Sequence, residues 1–265
     1  MIIDLKSDEE IEGFKKAGFE TGRILNLLIY NAQVGWTGLD LDKIAREECE
    51  KIGAKPVFLN YRGFPAAICI SKNITLVHGI PNEEPFKHGD LVSIDFGLSL
   101  DGFIGDTAKT VIIKSKQHNE SFDCYSNLLS DCRFALWKGI QQAIVGNHLS
   151  NISCAIETIA KEGKFKVPRE YGGHGVSRNN LHSPPFIPNY YERNEENITL
   201  RKGMVLAIEP MFIDGQNNKL IVAPDGWSVI AQGNTAHFEH TILITDKEPL
   251  VLTDCYGSFL SGKQL

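Results

Sequence analysis

Long apolar runs are missing from this sequence. No segment approaches the ~20 apolar residues in a row that a membrane-spanning helix needs. The first ten residues, MIIDLKSDEE, are acidic and carry no apolar stretch, so no secretory leader is expected. These absences predict a soluble cytoplasmic protein with no membrane partner. Basic charge is also short: 27 Lys and Arg stand against 33 Asp and Glu, a formal net charge of −6. That disfavours the broad positive face of a DNA-binding protein. The six cysteines, at 49, 69, 124, 132, 154 and 255, include no C-x-x-C pair. Neither a thiolate zinc knuckle nor a redox pair is indicated, and they read as small apolar residues in a reducing compartment. Gly172-Gly173-His174-Gly175 lacks the G-x-G-x-x-G spacing and the flanking βαβ pattern, which argues against a dinucleotide site. Its glycines instead suit a backbone that passes close to a ligand or turns sharply beside His174.

What is present fits one domain over residues 1–265, with 42% hydrophobic and 23% charged residues. Ser7 to Glu10 form a capping-box pattern, and apolar residues at helical spacing then run to about residue 31. Thr37 and Asp40 start a second helix that stops near Gly53. Apolar runs at 67–70, 75–77, 91–96 and 110–113, separated by turn residues such as Asp101-Gly102, predict strands. Residues 119–145 read as helical again, and Ser150 is expected to cap a further helix ending at Gly163. A second β-rich stretch occupies about 168–252. Helices then strands, twice over, is an α+β pattern.

The two halves echo one another. Lys87 to Asp95 can be laid over Arg201 to Glu209: basic, basic or His, Gly, any, two apolar, small, Ile, acid. Asp106-Thr107 with its following apolar run is matched more loosely by Glu239-His240-Thr241-Ile242. Two related halves about a pseudo-two-fold axis are therefore expected.

Each echo ends in a carboxylate. Asp95, Glu209 and Glu239 sit among strand residues, where an ionised acid is costly unless something neutralises it. Few Lys or Arg residues lie nearby. Asp95, Asp106, Glu209 and Glu239 with neutral His174 carry four negative charges, which two divalent cations balance. Oxygen-rich ligation with one imidazole suits Mn, Fe, Co or Zn. Paired metals are a known device for activating a water. Taken alone, His78 and His182 read as structural or surface residues, and His237 and His240, flanking Glu239, read as supporting rather than ligating.

The strings Asn73-x-x-x-x-His78-Gly79-Ile80-Pro81, Ile94-Asp95, Asp101-Gly102-x-x-Gly105-Asp106-Thr107, Gly173-His174-Gly175, Ala207-Ile208-Glu209-Pro210 and Glu239-His240-Thr241 resemble the type I methionine aminopeptidases, in order and over most of the chain. The resemblance implies the pita-bread (creatinase/aminopeptidase-like) fold with a di-metal site between its halves. Asp106 and Glu239 would bridge both metals, Asp95 serving one, His174 and Glu209 the other. It implies removal of the N-terminal methionine from nascent proteins and peptides, preferentially before a small second residue, by a metal-bridging hydroxide. His182 would stabilise the oxyanion, Glu209 would shuttle protons, and His78 would contact the scissile amide. One metal would hold the free α-amine. Tyr61, Phe64, Val77, Leu181 and Trp227 would form the methionine pocket, and Asn73, Thr75 and Thr235 a monovalent-cation site. The expected partners are nascent N-termini and the ribosome, and the expected state is a monomer. After His174 the chain departs from the family, which commonly has His-Glu-Glu-Pro where Leu181 leads into His182-Ser183-Pro184-Pro185. Pocket shape and second-residue preference hang on that change. A proline-directed relative would usually carry an extra N-terminal domain, and a binding module would lose ligands. A type II enzyme would need a helical insertion where only 26 residues separate His182 from Glu209.

Overall fold

The structure is a computed structural model that describes residues 5–115, 123–192 and 197–255. The chain begins with α1 (Asp8–Asn31) and α2 (Gly38–Lys51). Five strands follow: β1 (Lys55–Pro56), β2 (Cys69–Lys72), β3 (Thr75–Val77), β4 (Leu91–Leu100) and β5 (Phe103–Ile112). The second half repeats the order with α3 (Asp123–Gln141), α4 (Leu149–Glu162), β6 (Gly172–Ser177), β7 (Asn180–Pro188), β8 (Val205–Ile208) and β9 (Met211–Gly215). It finishes with β10 (Ile221–Val222), β11 (Val229–Ile230), β12 (Gly233–His237), β13 (Glu239–Leu243) and β14 (Leu250–Val251).

Local chemistry accounts for the helix starts. The Ser7 hydroxyl accepts from the Glu10 N–H while Glu10 Oε2 accepts from the Ser7 N–H, closing the capping box that starts α1. Thr37 and Asp40 do the same for α2. The helix after 145 begins two residues earlier than expected, at Leu149 behind an N-cap at His148. Asn151 Oδ1 accepts from the His148 N–H, so Ser150 lies inside the first turn instead of capping it. The part of the third predicted helix at 119–122 falls outside the described residues.

One large sheet runs β1-β4-β5-β13-β8-β6-β7, with β2 also on β4 and β14 on β13. The β5–β13 pair is antiparallel, as a two-fold axis between them requires. To either side of it lie β4 and β8, then β2 and β6. The sequence echo is thereby a structural one, and its detail extends to single hydrogen bonds. Gly89 (φ +89°) and Gly203 (φ +85°) both take the left-handed region. The Gly89 N–H donates to Ile113 and the Ile113 N–H back to Asp90, at 2.9 and 2.8 Å. The Gly203 N–H donates to Ile244 and the Ile244 N–H back to Met204, at 3.0 and 2.9 Å.

Helices cover one face of this sheet. Phe14, Ala17, Ile24, Leu25 and Leu28 form the buried stripe of α1, which lies on β4 and β5. Leu128, Cys132, Leu136, Ile152 and Ile156 of α3 and α4 close a second core against Leu206, Ile208 and Ile242. The other face of the central strands carries the acids.

Candidate metal centre and catalytic cleft

Strand register assembles the acids. The two-residue turn at Asp101-Gly102, both at positive φ, sets β4 against β5 so that Asp95 faces Ala108 and Asp106 faces Gly97. Ala108 also faces Glu239 on β13. Cross-strand partners share a face, as do residues two apart, so Asp95, Asp106 and Glu239 project together. Between them stand only Gly97 and Ala108, which leaves room above the sheet. Glu209 follows β8 directly, beyond Ile208, which pairs with His240. His174 on β6 faces Ala207 on β8. Gly173 and Gly175 do not turn the chain there. A Cβ at Gly173 would lie 2.4 Å from the Ala207 carbonyl oxygen and one at Gly175 2.1 Å from that of Pro184, so glycine is what lets β6 sit between its neighbours.

The donor atoms converge. One oxygen or nitrogen each from Asp106, His174 and Glu239 lie within 4.8 Å of one another, and so do those of Glu209, His237 and Glu239. Asp95 belongs to neither tight group and is placed beside them by register. His174 Nε2 is 3.5 Å from Glu209 Oε1 and 3.8 Å from Asp106 Oδ2. Its Nδ1 meets the Gly175 carbonyl at 3.1 Å, which fixes the ring so that Nε2 turns to the acids.

Electrostatically the cluster is unbalanced. Burial raises the Asp106 carboxyl to about 7. Asp95, Glu209 and Glu239 are pushed well above the ordinary carboxylate range, first by burial and then by Asp106, with Asp95 adding to Glu209 and both Glu209 and Asp95 to Glu239. Burial also holds His174 at about 4 and His237 at about 3. Among the described residues no Lys or Arg forms an ion pair with these acids. Asp95 Oδ1, Asp106 Oδ1, Glu239 Oε1 and His237 Nε2 are buried without a hydrogen-bond partner. Buried oxygens left unsatisfied in such number are what a cation site presents, and the carboxylate-and-imidazole set fits divalent cations.

A cavity of about 600 Å³ opens over the acids. Tyr61, Phe64, Val77 and Trp227 line it, as do His78 and His182. Leu181 does not: along β7 side chains alternate, His182, Pro184 and Phe186 face outward towards the cavity, and Leu181 is buried in the core behind. Phe58, Cys69 and Met211, which no sequence pattern singles out, complete the apolar wall. The Phe64 and Trp227 rings meet edge to face at 5.3 Å. His182 Nδ1 is 2.8 Å from the Tyr61 hydroxyl, and its ring packs 4.5 Å from that of His174. His78 is held at φ +58°, an uncommon conformation for histidine, with its ring against Tyr171 at 5.5 Å. The Thr235 hydroxyl lies 2.9 Å from the Asn73 carbonyl oxygen and 2.8 Å from that of Thr75, so these three residues also meet. His240 bonds Thr253 through Nδ1 at 2.7 Å, away from the acids. His237, read from sequence as supporting, brings its Nε2 to 3.4 Å from Glu209 Oε2. Its spacing of two from Glu239 is the sequence signal for this, because strand side chains two apart share a face.

Comparison with known proteins agrees with this geometry. Residues 12–246 match metallopeptidase family M24. A methionine aminopeptidase of Aquifex aeolicus is 42% identical over 264 residues, covering 96% of this chain and 100% of its own. The crystal structure of methionine aminopeptidase from Rickettsia prowazekii superposes with a TM-score of 0.89 at 32% identity, covering 95% of this chain and 100% of its own. Prolidase from Pyrococcus furiosus shares the fold at a TM-score of 0.71 and 21% identity, with 94% of this chain covering 65% of that one. No helix among the described residues is long and apolar enough to cross a membrane. The acids gathered at the two-fold axis are thus set in a chain that belongs to metallopeptidase family M24, among its methionine aminopeptidases.

Proposed function

We propose that this enzyme removes methionine from nascent polypeptide N-termini and peptides using two divalent cations. Asp95, Asp106 and Glu239 would hold one, and His174 and Glu209, with the same Asp106 and Glu239, the other. The observation that carries this reading is the set of buried carboxylate oxygens with neither hydrogen bond nor basic partner. Divalent cations bound there supply Lewis acidity towards the scissile carbonyl and lower the pKa of the attacking water.

The chain's own groups do the rest. The apolar wall of Phe58, Tyr61, Phe64, Val77, Met211 and Trp227 takes the thioether by dispersion and sulfur–aromatic contact. His182 Nδ1 pairs with the Tyr61 hydroxyl; in the tautomer in which that hydroxyl donates, Nε2 carries the N–H that would stabilise the carbonyl oxygen as charge develops. Glu209 takes the proton released in the attack and returns it to the departing amine. His78 contacts the scissile amide. Tyr171, Pro184 and Phe186 also line the cavity, and their bulk favours a small second residue. The carbonyl oxygens of Asn73 and Thr75, converging on Thr235, offer a hard monovalent cation its ligands.

The test strips metal with chelator, restores Mn, Co or Fe separately, and offers Met-Ala-Ser, Met-Leu-Ser, Ala-Ala-Ser and Ala-Pro-Ala. Metal-dependent release of methionine, faster from Met-Ala-Ser than from Met-Leu-Ser, is expected. Cleavage before proline would refute the substrate, and equal rates on the two methionyl peptides would refute the second-residue preference. Retention of both metals and full rate by Asp106→Asn would refute the ligand set.

A further inference from the structure

His237 ends β12, two residues before Glu239, and is 2% exposed. Its backbone is pinned from two sides. It pairs with Met211 on β9, and the Thr110 hydroxyl accepts its N–H at 2.8 Å and donates to its C=O at 2.9 Å. The imidazole Nε2 then faces Glu209 Oε2 at 3.4 Å, yet it makes no hydrogen bond and is buried from water. A donor aimed at a carboxylate would close to about 2.7–2.9 Å in line. Two ligands of a common cation, each about 2.1 Å from it, instead sit roughly 3.0–3.4 Å apart, depending on the angle between them.

The other buried imidazole of the cluster has the same signature. His174 Nε2 lies 3.5 Å from the opposite oxygen of Glu209, also without a hydrogen bond to it. Glu209 is therefore flanked by two nitrogens, one on each carboxylate oxygen. His237, Glu209 and Glu239 bring their donor atoms within 4.8 Å of one another, as do Asp106, His174 and Glu239.

We infer that His237 is a further metal ligand in this chain, donating Nε2 to the cation that Glu209 and Glu239 hold. The inference rests on the proposed metal centre. It changes the donor set of that cation from carboxylate-rich with one imidazole to one with two imidazoles. Additional nitrogen shifts preference towards Co, Ni, Zn or Fe and away from Mn. With both nitrogens of a ligating imidazole engaged or buried, the ring also rigidifies Glu209, whose carboxylate it borders.

Proton NMR of the Co(II)-loaded enzyme counts the ligating imidazoles directly, because rings bound to the paramagnetic ion give strongly shifted ring C–H and N–H resonances. Two shifted imidazole sets are expected in the unaltered protein. His237→Gln should remove one of them and His174→Gln the other. Calorimetric titration should show the Co(II) and Ni(II) affinity of His237→Gln falling at least tenfold, with the Mn(II) affinity changing less than threefold. One imidazole set in the unaltered protein, unchanged by His237→Gln, would overturn the inference while leaving the metal centre standing. In that outcome His237 only buttresses Glu209. No shifted imidazole at all would overturn the metal centre itself. The count in the unaltered protein decides the matter even if a variant fails to fold, and His237→Asn provides a second, smaller replacement.

Discussion

Removing metal should leave the folded chain destabilised as pH rises, which is the reverse of ordinary acid denaturation. The sign follows from the direction of each shift. Burial carries Asp106 from an ordinary 3.8 to about 7, and Asp95, Glu209 and Glu239 are raised well above their ordinary values. A carboxyl raised in the folded state costs nothing below its ordinary pKa, where both states hold the proton. Stability is then lost as pH climbs towards the folded pKa, because the unfolded chain has already released the proton. For Asp106 the full loss is on the order of 4 kcal/mol, from about three pH units at ~1.4 kcal/mol each. Four histidines act in the opposite sense. His174 and His240 are held at about 4, and His182 and His237 at about 3, so each stabilises more as pH rises to its ordinary 6.5. Above that the histidine contribution is complete and only the carboxyls remain. Between about pH 6.5 and 8, Asp106 passing through its folded value of about 7 removes a further ~1 kcal/mol, which for a chain of this size is roughly 2–4 °C of Tm. Calorimetry of the chelated protein should show at least that fall, and saturating Mn or Co should flatten it, since cations replace the protons. A chelated Tm that is level or rising over this interval, or the same slope with metal present, would refute the electrostatic account of the cluster.

Tyr61→Phe removes the 2.8 Å contact to His182 Nδ1 but keeps the apolar wall, so kcat on Met-Ala-Ser should drop ~10-fold with KM little changed. Steady-state kinetics in which only KM moved would assign Tyr61 to binding alone. Gly175→Ala forces a Cβ to within 2.1 Å of the Pro184 carbonyl oxygen. Separating β6 from β7 should cost at least ~2 kcal/mol, seen as a lowered thermal midpoint together with weakened metal uptake. Thr241→Val strips the Asp106 N–H and C=O of their hydroxyl partner, at 2.9 and 2.7 Å, deep in the fold. About 2–4 kcal/mol of stability should go, and denaturant titration giving an unaltered midpoint would show that the hydroxyl is dispensable.

The acids were legible in the sequence because burial without a basic neighbour is a local property. Asp95 and Glu209 each close a run of apolar strand residues, and that oddity can be read with no knowledge of the partner strand. The α+β order and both N-terminal helix starts were legible for a similar reason, since capping boxes span four residues. What was not legible depends on strands distant in the chain. Leu181 and His182 differ only in which face of β7 they occupy, and only the pairing of β7 with β6 decides that. The approach of His237 to Glu209 crosses from β12 to the end of β8, so no local pattern reveals it. The glycines around His174 pointed to a turn or a ligand, whereas the neighbouring backbones explain them.

The two-fold echo also explains why the site is not symmetrical. Laying Asp95 over Glu209 places Ser93 over Ala207. Ser93 faces Ser71 on β2, and Ala207 faces His174 on β6, so Ser71 stands where a symmetrical site would hold a second copy of His174. Its hydroxyl is spent elsewhere, accepting the Gly79 N–H at 3.1 Å and anchoring the bend that presents His78. One half therefore contributes carboxylates and the cavity-lining imidazole of His78, and the other contributes carboxylates and the imidazoles that border Glu209. Where the halves meet, β5 and β13 pair at only two positions, Ala108 with Glu239 and Thr107 with His240. Threonine hydroxyls carry the contact onward: Thr110 to His237 at one end and Thr241 to Asp106 at the other. A hydroxyl can accept and donate at once, so it satisfies the peptide of a residue that has left the ladder. This lets the strands part at the axis, where space is needed above Ala108, without leaving Asp106 or His237 free to move.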